Sequence, residues 1–389
     1  MRVAIVGGGV SGLASALHLA PLVSQGLISS PIDLFEASSR GKGRDIGVGI
    51  WSTALEPFRI SDRPSHQMVW EKMTKQGSWI GEVGYRTPKG NWLVTSHLPT
   101  EIPDTSGEDM PGLLFLKEAD VKSSLRLAVA AEENNSTVRV HASSPVTGIY
   151  EESPHAWSAP LTFDNGEVSE RDYHFIIAAD GINSVLRKKY GGHLPGDQRR
   201  LTGTSAFRTS TQDADSAQQI KDWDAARQEE IASLEDRKYT VFRGNSPVTD
   251  EEKGKGGLNF QTWGEGKSMR FATVNMTYPD KGSTKEEKQV WFITIDDDNI
   301  TSESDPEKRK TILLDAFASW HSPICDMVAS TPADEILMER AVAHSHSMAP
   351  VVDMNGVLTE IGQRRPPSSG RGPAMVFIGD AFMTVDPSE

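Results

Sequence analysis

Three short glycine segments, two of them with a carboxylate, have the character needed to hold a phosphorylated ligand rather than to attack one. The first is Gly7-Gly8-Gly9-Val10-Ser11-Gly12, which follows Val3-Ala4-Ile5-Val6 and precedes Leu13, Ala14, Ala16 and Leu17 at helical spacing. In such a strand–turn–helix unit Gly7 permits the tight turn, Gly9 lets the backbone approach a pyrophosphate, and Gly12 lets helix and strand pack closely. The start of the helix adds free N–H groups and the positive end of its dipole. A second apolar run, Ile32 to Phe35, ends on Glu36, 24 residues beyond Gly12. That is near the ~20 expected for an acid that takes a ribose hydroxyl. The second segment is Asp180-Gly181, after Phe175-Ile176-Ile177-Ala178-Ala179; the third is Gly379-Asp380-Ala381, after Ala374-Met375-Val376-Phe377-Ile378. In an open α/β sheet, ligands bind beyond the carboxyl ends of the strands. Three such ends in one chain predict a single long dinucleotide lying across one sheet.

Residues for other chemistries are missing or isolated. The chain has no Gly-x-Ser-x-Gly elbow, no His-Glu-x-x-His and a single cysteine, Cys325, so no internal disulfide or multi-cysteine metal site is expected. His344 and His346 have no acidic or cysteine partner beside them, and no metal is predicted. The net charge of −14 over 389 residues argues against nucleic acid and anionic membrane surfaces as partners, because both require basic patches. No apolar run reaches the ~18 residues of a membrane span, so no transmembrane segment is expected. The first strand starts at Arg2-Val3, leaving no room for a signal or transit peptide, and the expected location is cytoplasmic. Arg44, at the end of the basic loop that follows Glu36, is a candidate phosphate contact.

The elements that must position these groups read as an α/β protein with a β-rich middle. Gly81 to Thr87 and Asn91 to Val94 flank Pro88-Lys89-Gly90 and predict a hairpin. Lys117 to Ala131 predicts an amphipathic helix with Val121, Leu125 and Val129 on one face. From residue 201 strand patterns dominate: Gly203 to Thr209, Tyr239 to Arg243, Met269 to Tyr278 and Val290 to Asp296, with an acidic surface helix expected over Gln212 to Asp236. Lys308 to His321 predicts another amphipathic helix. Arg208, Tyr239, Phe242, Arg243, Asn275 and Trp291 lie in these strands and are candidates for a substrate wall.

Taken together, the sequence resembles the FAD-dependent aromatic hydroxylases, single-component flavoprotein monooxygenases of the p-hydroxybenzoate hydroxylase fold. The resemblance runs over nearly the whole chain. It rests on Gly7 to Gly12 with Glu36, on Gly47-Val48-Gly49-Ile50, on Ala179-Asp180-Gly181-Ile182-Asn183-Ser184-Val185-Leu186-Arg187, and on Gly379-Asp380-Ala381 with Pro387. It implies a Rossmann-like FAD-binding domain formed by residues 1–65, 111–200 and 336–389, with an inserted β-sheet substrate domain formed by 66–110 and 201–335. It implies that Glu36 binds the adenosine ribose, that Asp180 and Gly181 lie near the pyrophosphate and serve the nicotinamide nucleotide, and that Asp380, with Gly379, holds the ribityl chain. Lys117 stands where the family opens a helix with Arg, keeping the charge without the bidentate fork. Trp320 matches an element that packs the substrate domain.

The implied activity is oxygenation of a small aromatic or isoprenoid-like substrate with FAD, NAD(P)H and O₂, and it needs no protein nucleophile. Two alternatives stay open: a flavin-dependent reductase or dehydrogenase without oxygen insertion, and a C-terminally truncated, non-catalytic flavoprotein relic. Where the family has Ala-His after Gly-Asp-Ala, this sequence has Phe382-Met383. The family continues beyond the proline matching Pro387 into a glycine loop and helix, whereas this sequence ends at Glu389. An exposed flavin ring is therefore expected, either covered by a second copy or partner chain or yielding mainly hydrogen peroxide from NAD(P)H.

Overall fold

The computed structural model describes residues 1–38, 46–98, 112–150, 158–190, 234–248, 259–264, 269–278, 286–296, 300, 303–344 and 373–381. The chain divides into two compact units. One comprises Met1–Gly41, Leu125–Glu235 and Val342–Val385, the other Lys42–Ser124, Asp236–Ala341 and Asp386–Glu389. Residues 42–65 and 111–124 therefore fall in the second unit rather than with the dinucleotide motif. The reason is local pairing. Strand β3 (Gly47–Trp51) runs antiparallel to β7 (Leu113–Lys117), which also takes β4 (Ser78–Ile80). Ile80 and Phe115 from this small sheet join Met276 and Val290 in one apolar cluster of the second unit.

The first unit is built on a five-stranded sheet in the order β17-β11-β1-β2-β8: Ala374–Phe377, Phe175–Ala178, Val3–Val6, Ile32–Phe35 and Val138–His141. All four pairings are parallel. Val3, Ala4, Ile5 and Val6 are all buried, as a strand covered on both faces requires. Helix α1 (Val10–Ser24) lays Gly12, Leu13, Ala16, Leu17 and Ala20 inward, an i, i+4 pattern of small and branched residues that allows close approach to the sheet. Beyond β1, the hairpin β9–β10 (Val146–Ile149, Leu161–Phe163) and Tyr173 join Ala4, Val6, Phe35, Ile176 and Phe377 in one core.

The second unit carries a mixed seven-stranded sheet, β16-β12-β15-β14-β13-β5-β6. Its strands are Leu337–His344, Leu234–Pro247, Glu286–Ile295, Arg270–Tyr278, Phe260–Trp263, Glu82–Arg86 and Trp92–His97. The expected hairpin is β5–β6, and it joins the sheet by parallel pairing of β5 with β13. Tyr85 and Phe242 thus share one sheet. Two helices, Pro306–Phe317 (α6) and Ile324–Ser330 (α7), contribute Leu313, Phe317, Ile324, Met327 and Val328 to a core with Phe242, Phe271, Trp291 and Ile293. Trp320 packs on that core, edge-on to Phe317 with ring centroids 4.6 Å apart. No helix among the described residues is long and apolar enough to cross a membrane.

Candidate functional site

The order of the parallel sheet gathers the three glycine-bearing turns. Strands β17, β11 and β1 are neighbours, with Ala178 level with both Val6 and Phe377. The turns at Gly7, Asp180 and Gly379 therefore leave the carboxyl ends of three adjacent strands, and Glu36 leaves the end of the next strand, β2. Gly7 has φ +109°, a left-handed conformation open only to glycine, and a side chain there would run into the Ala179 carbonyl. A Cβ at Gly12 would strike the Gly7 carbonyl, so this glycine sets the closeness of α1 to β1. At Gly9, by contrast, a Cβ would meet nothing within 4 Å: the space in front of the turn is open. Gly9 caps α1 with no side-chain hydrogen bond, and no acid stands in the first turn. The positive end of a 15-residue helix is thus presented to that space, an arrangement suited to an anion.

Glu36 is tied to the turn. Its Oε2 accepts the Gly8 N–H at 2.7 Å, and its Oε1 accepts the Ser38 N–H at 2.9 Å and the Ser38 hydroxyl at 2.7 Å. Burial pushes this carboxyl up, but the Ser38 and Gly8 hydrogen bonds and the charge of Arg126 hold it net below the usual carboxylate range. The group is therefore an acceptor near neutrality. Beside it opens a cavity of about 250 Å³, walled by Gly8, Leu34, Glu36, Arg126, Glu133 and Val140 among others. This is below the roughly 300–1,000 Å³ of a pocket for a whole drug-sized ligand and suits one part of a longer one. Asp180 gives a second indication. Its Oδ2 accepts the Leu186 N–H at 3.2 Å, which fixes the turn into helix α5 (Val185–Tyr190), while its Oδ1 is buried with no partner among the described residues. A buried acceptor left unmatched calls for a donor beyond the described residues, and a ligand hydroxyl or water can supply it. Open space at Gly9, a bare helix end, an ionised Glu36 and an unmatched Asp180 oxygen together fit a dinucleotide.

The remaining sequence candidates divide between the two units and the residues outside those described. Gly181 forms the turn after Asp180 with φ +82°. Gly379 and Asp380 lie in a single 3₁₀ turn, Gly379–Ala381, with Gly379 directly against Ser11 of α1. Lys117 does not open a helix: it closes β7 opposite Gly47 in the second unit, and α4 (Glu118–Asn134) begins at the next residue. Arg44, Arg208, His346, Phe382, Met383 and Pro387 lie outside the described residues. Of the substrate-wall candidates, Phe242 and Trp291 are fully buried in the helix-covered core, and the Trp291 Nε1–H donates to Thr331 Oγ1 at 2.9 Å; both are structural. Arg243 pairs with Glu339 at 2.8 Å, and the Asn275 N–H donates to Asn259 Oδ1 at 2.8 Å.

Two cavity residues escaped the sequence reading, Arg126 and Glu133. With Val129 they recur at i, i+3 and i+7 along α4, one helical face. The spacing was readable, but nothing in it says that this face meets a cavity.

The fold is shared with solved structures of known enzymes. Klebsiella pneumoniae HpxO, complexed with FAD and uric acid, matches with a TM-score of 0.61 at 17% identity over 99% of this chain and 74% of its own. 2,6-Dihydroxypyridine-3-hydroxylase from Arthrobacter nicotinovorans matches with a TM-score of 0.56 at 15% identity over 99% and 78%. A 2-methyl-3-hydroxypyridine-5-carboxylic acid oxygenase matches with a TM-score of 0.59 at 14% identity over 100% and 77%. The chain matches no protein-family model and no curated protein.

Proposed function

We propose that this chain binds FAD and is an NAD(P)H-dependent flavin monooxygenase acting on a small aromatic or isoprenoid-like molecule. The observation that carries the reading is the alignment of the Gly7–Gly12, Asp180–Gly181 and Gly379–Asp380 turns on three adjacent parallel strands, with Glu36 at the end of the fourth. Solved structures of this fold include one complexed with FAD and two named as a hydroxylase and an oxygenase, which supports the cofactor and the reaction class.

In this reading the first unit is the nucleotide domain and the second, with its seven-stranded sheet, is the substrate domain. Glu36 takes ribose hydroxyls, the N-terminus of α1 faces the pyrophosphate, and the unmatched Asp180 Oδ1 accepts a ligand hydroxyl. Asp380 serves the polyol side of the flavin. Bound there, the flavin supplies the redox chemistry between NAD(P)H, O₂ and substrate. The chain's own residues orient it and need supply no nucleophile. The single cysteine supports a reducing, cytoplasmic setting.

The test has two stages. The purified protein should carry, or take up from solution, flavin with its visible absorption bands. NAD(P)H oxidation should then consume O₂ in step with oxygenated product across aromatic and isoprenoid substrates. Flavin reduction with no oxygen in any product would replace the monooxygenase by a reductase, and failure to bind FAD would remove both.

A further inference from the structure

The cavity beside Glu36 has one wall that the proposed FAD reading does not itself explain. Arg126 stands half-buried on α4 and lines the cavity together with Glu36, Leu34, Val129 and Val140. Its guanidinium makes no hydrogen bond or ion pair among the described residues. The nearby carboxylates are engaged elsewhere: Glu36 by Gly8 and Ser38, and Glu133 through Oε1 by the Val140 N–H at 2.8 Å. A planar cation thus faces a space whose walls include the aliphatic Leu13, Leu34, Val129 and Val140 beside the polar Glu36, Ser38 and Glu133. Aliphatic walls favour a flat apolar body, and a guanidinium plane favours the face of an aromatic ring. A phosphate is a poorer occupant, because Glu36 and Glu133 bring two negative charges to the same cavity.

Resting on that reading, we infer that Arg126 holds the adenine of the dinucleotide by laying its guanidinium plane against the base, while Glu36 holds the adjoining ribose. The residue is a binding group of this chain and is distinct from the glycine turn, Glu36 and the two Asp–Gly turns. Its contribution is specific to ligands that carry a base. It depends on the shape of the guanidinium as well as its charge, so lysine cannot replace it.

The experiment titrates the flavin-stripped full chain with ADP by calorimetry and with FAD and FMN by flavin fluorescence, for wild type, Arg126→Lys and Arg126→Ala. Circular dichroism checks that each variant is folded; the native side chain makes no hydrogen bond whose loss would unfold the helix. ADP and FAD should each bind roughly three- to tenfold more weakly to both variants, the size of a partly desolvated cation–π contact, while FMN is unchanged. Wild-type ADP affinity retained in Arg126→Lys overturns the inference, since charge alone then suffices. Equal ADP affinity in all three proteins, or no ADP binding to wild type, overturns it as well. Tight FAD binding that ignores Arg126 removes this inference and leaves the FAD reading standing. ADP binding that depends on Arg126, in a protein that takes no FAD, does the reverse.

Discussion

The middle of β2 and its carboxyl end each carry an acid, and the two acids have opposite surroundings. Asp33, 1% exposed, faces the hairpin side of the sheet. Its Oδ1 accepts His141 Nε2–H at 2.8 Å and its Oδ2 accepts the Tyr173 hydroxyl at 3.0 Å. The guanidinium groups of Arg139 and Arg171 stand 3.8 Å and 3.6 Å away, and the His141 ring is stacked on Phe35 at 4.6 Å. Each oxygen is thus held by one hydrogen bond and has one guanidinium nearby. Glu36 instead lines a cavity and is held by backbone N–H groups and one serine. Burial pushes both carboxyls up and hydrogen bonds return both below the usual range. A shifted pKa therefore does not separate an acid enclosed by the fold from one that lines a cavity; the space in front of the carboxylate does. The comparison breaks if either residue, when changed, shows the other's defect.

The largest effect is expected at Asp33. Asp33→Ala strands the buried Tyr173 hydroxyl and the His141 ring N–H, and leaving hydrogen bonds to a charged group unmade costs about 1–3 kcal/mol each. The urea midpoint should fall by a corresponding amount, while FAD affinity of the folded fraction stays put. A variant that melts like wild type but loses FAD would move Asp33 into the site. Glu36→Ala should do the opposite. It should weaken FAD by roughly 1–3 kcal/mol, the range for losing a hydrogen bond to a charged group, with little change in melting. Unchanged FAD affinity in titration would end its assignment as the ribose acid.

The two acids also show what the sequence could and could not convey. The place of Glu36 beside the glycine turn was legible because it is tied to backbone geometry: a glycine turn, a strand and an acid at fixed spacing. The same holds for Asp180 and Gly379, whose strands the fold makes neighbours of β1. Asp33 was read only as a strand residue, since its partners His141, Arg171 and Tyr173 lie 108 to 140 residues away and no local pattern announces them. Phe242 and Trp291 were misplaced for a related reason. Alternation along a strand separates two faces, but it does not say which face helices α6 and α7 will cover.

Acid should give a smaller effect with a defined sign. Because the Asp33 carboxyl lies below its unfolded value of about 3.9, its contribution to stability is complete above that pH and is lost as the pH falls through the folded value. Protonation costs less than truncation, since the carboxyl keeps its shape and gains a donor. Urea midpoints measured downward from pH 6 should therefore decline in the acid range for wild type and decline less for Asp33→Asn. A decline of the same size in both would assign the acid sensitivity to other carboxylates.

The smallest effect is expected at Ser38. Its hydroxyl donates to Glu36 Oε1 at 2.7 Å and so competes with a ribose hydroxyl for the same oxygen. In Ser38→Ala the backbone N–H stays, one lone pair is released, and FAD affinity near neutrality should change by no more than about twofold. The pH profile should move instead. The Ser38 hydroxyl helps to depress the Glu36 pKa, so without it Glu36 takes up its proton at higher pH, and FAD binding should fail earlier on acidification. FAD titrations of both proteins between pH 4 and 7 read the two effects separately. A tenfold loss at neutrality would make Ser38 itself a ligand-holding group. An unmoved acid limb would show that Glu36 is not the acid whose charge the ribose requires, and the distinction between the two ends of β2 would then fall.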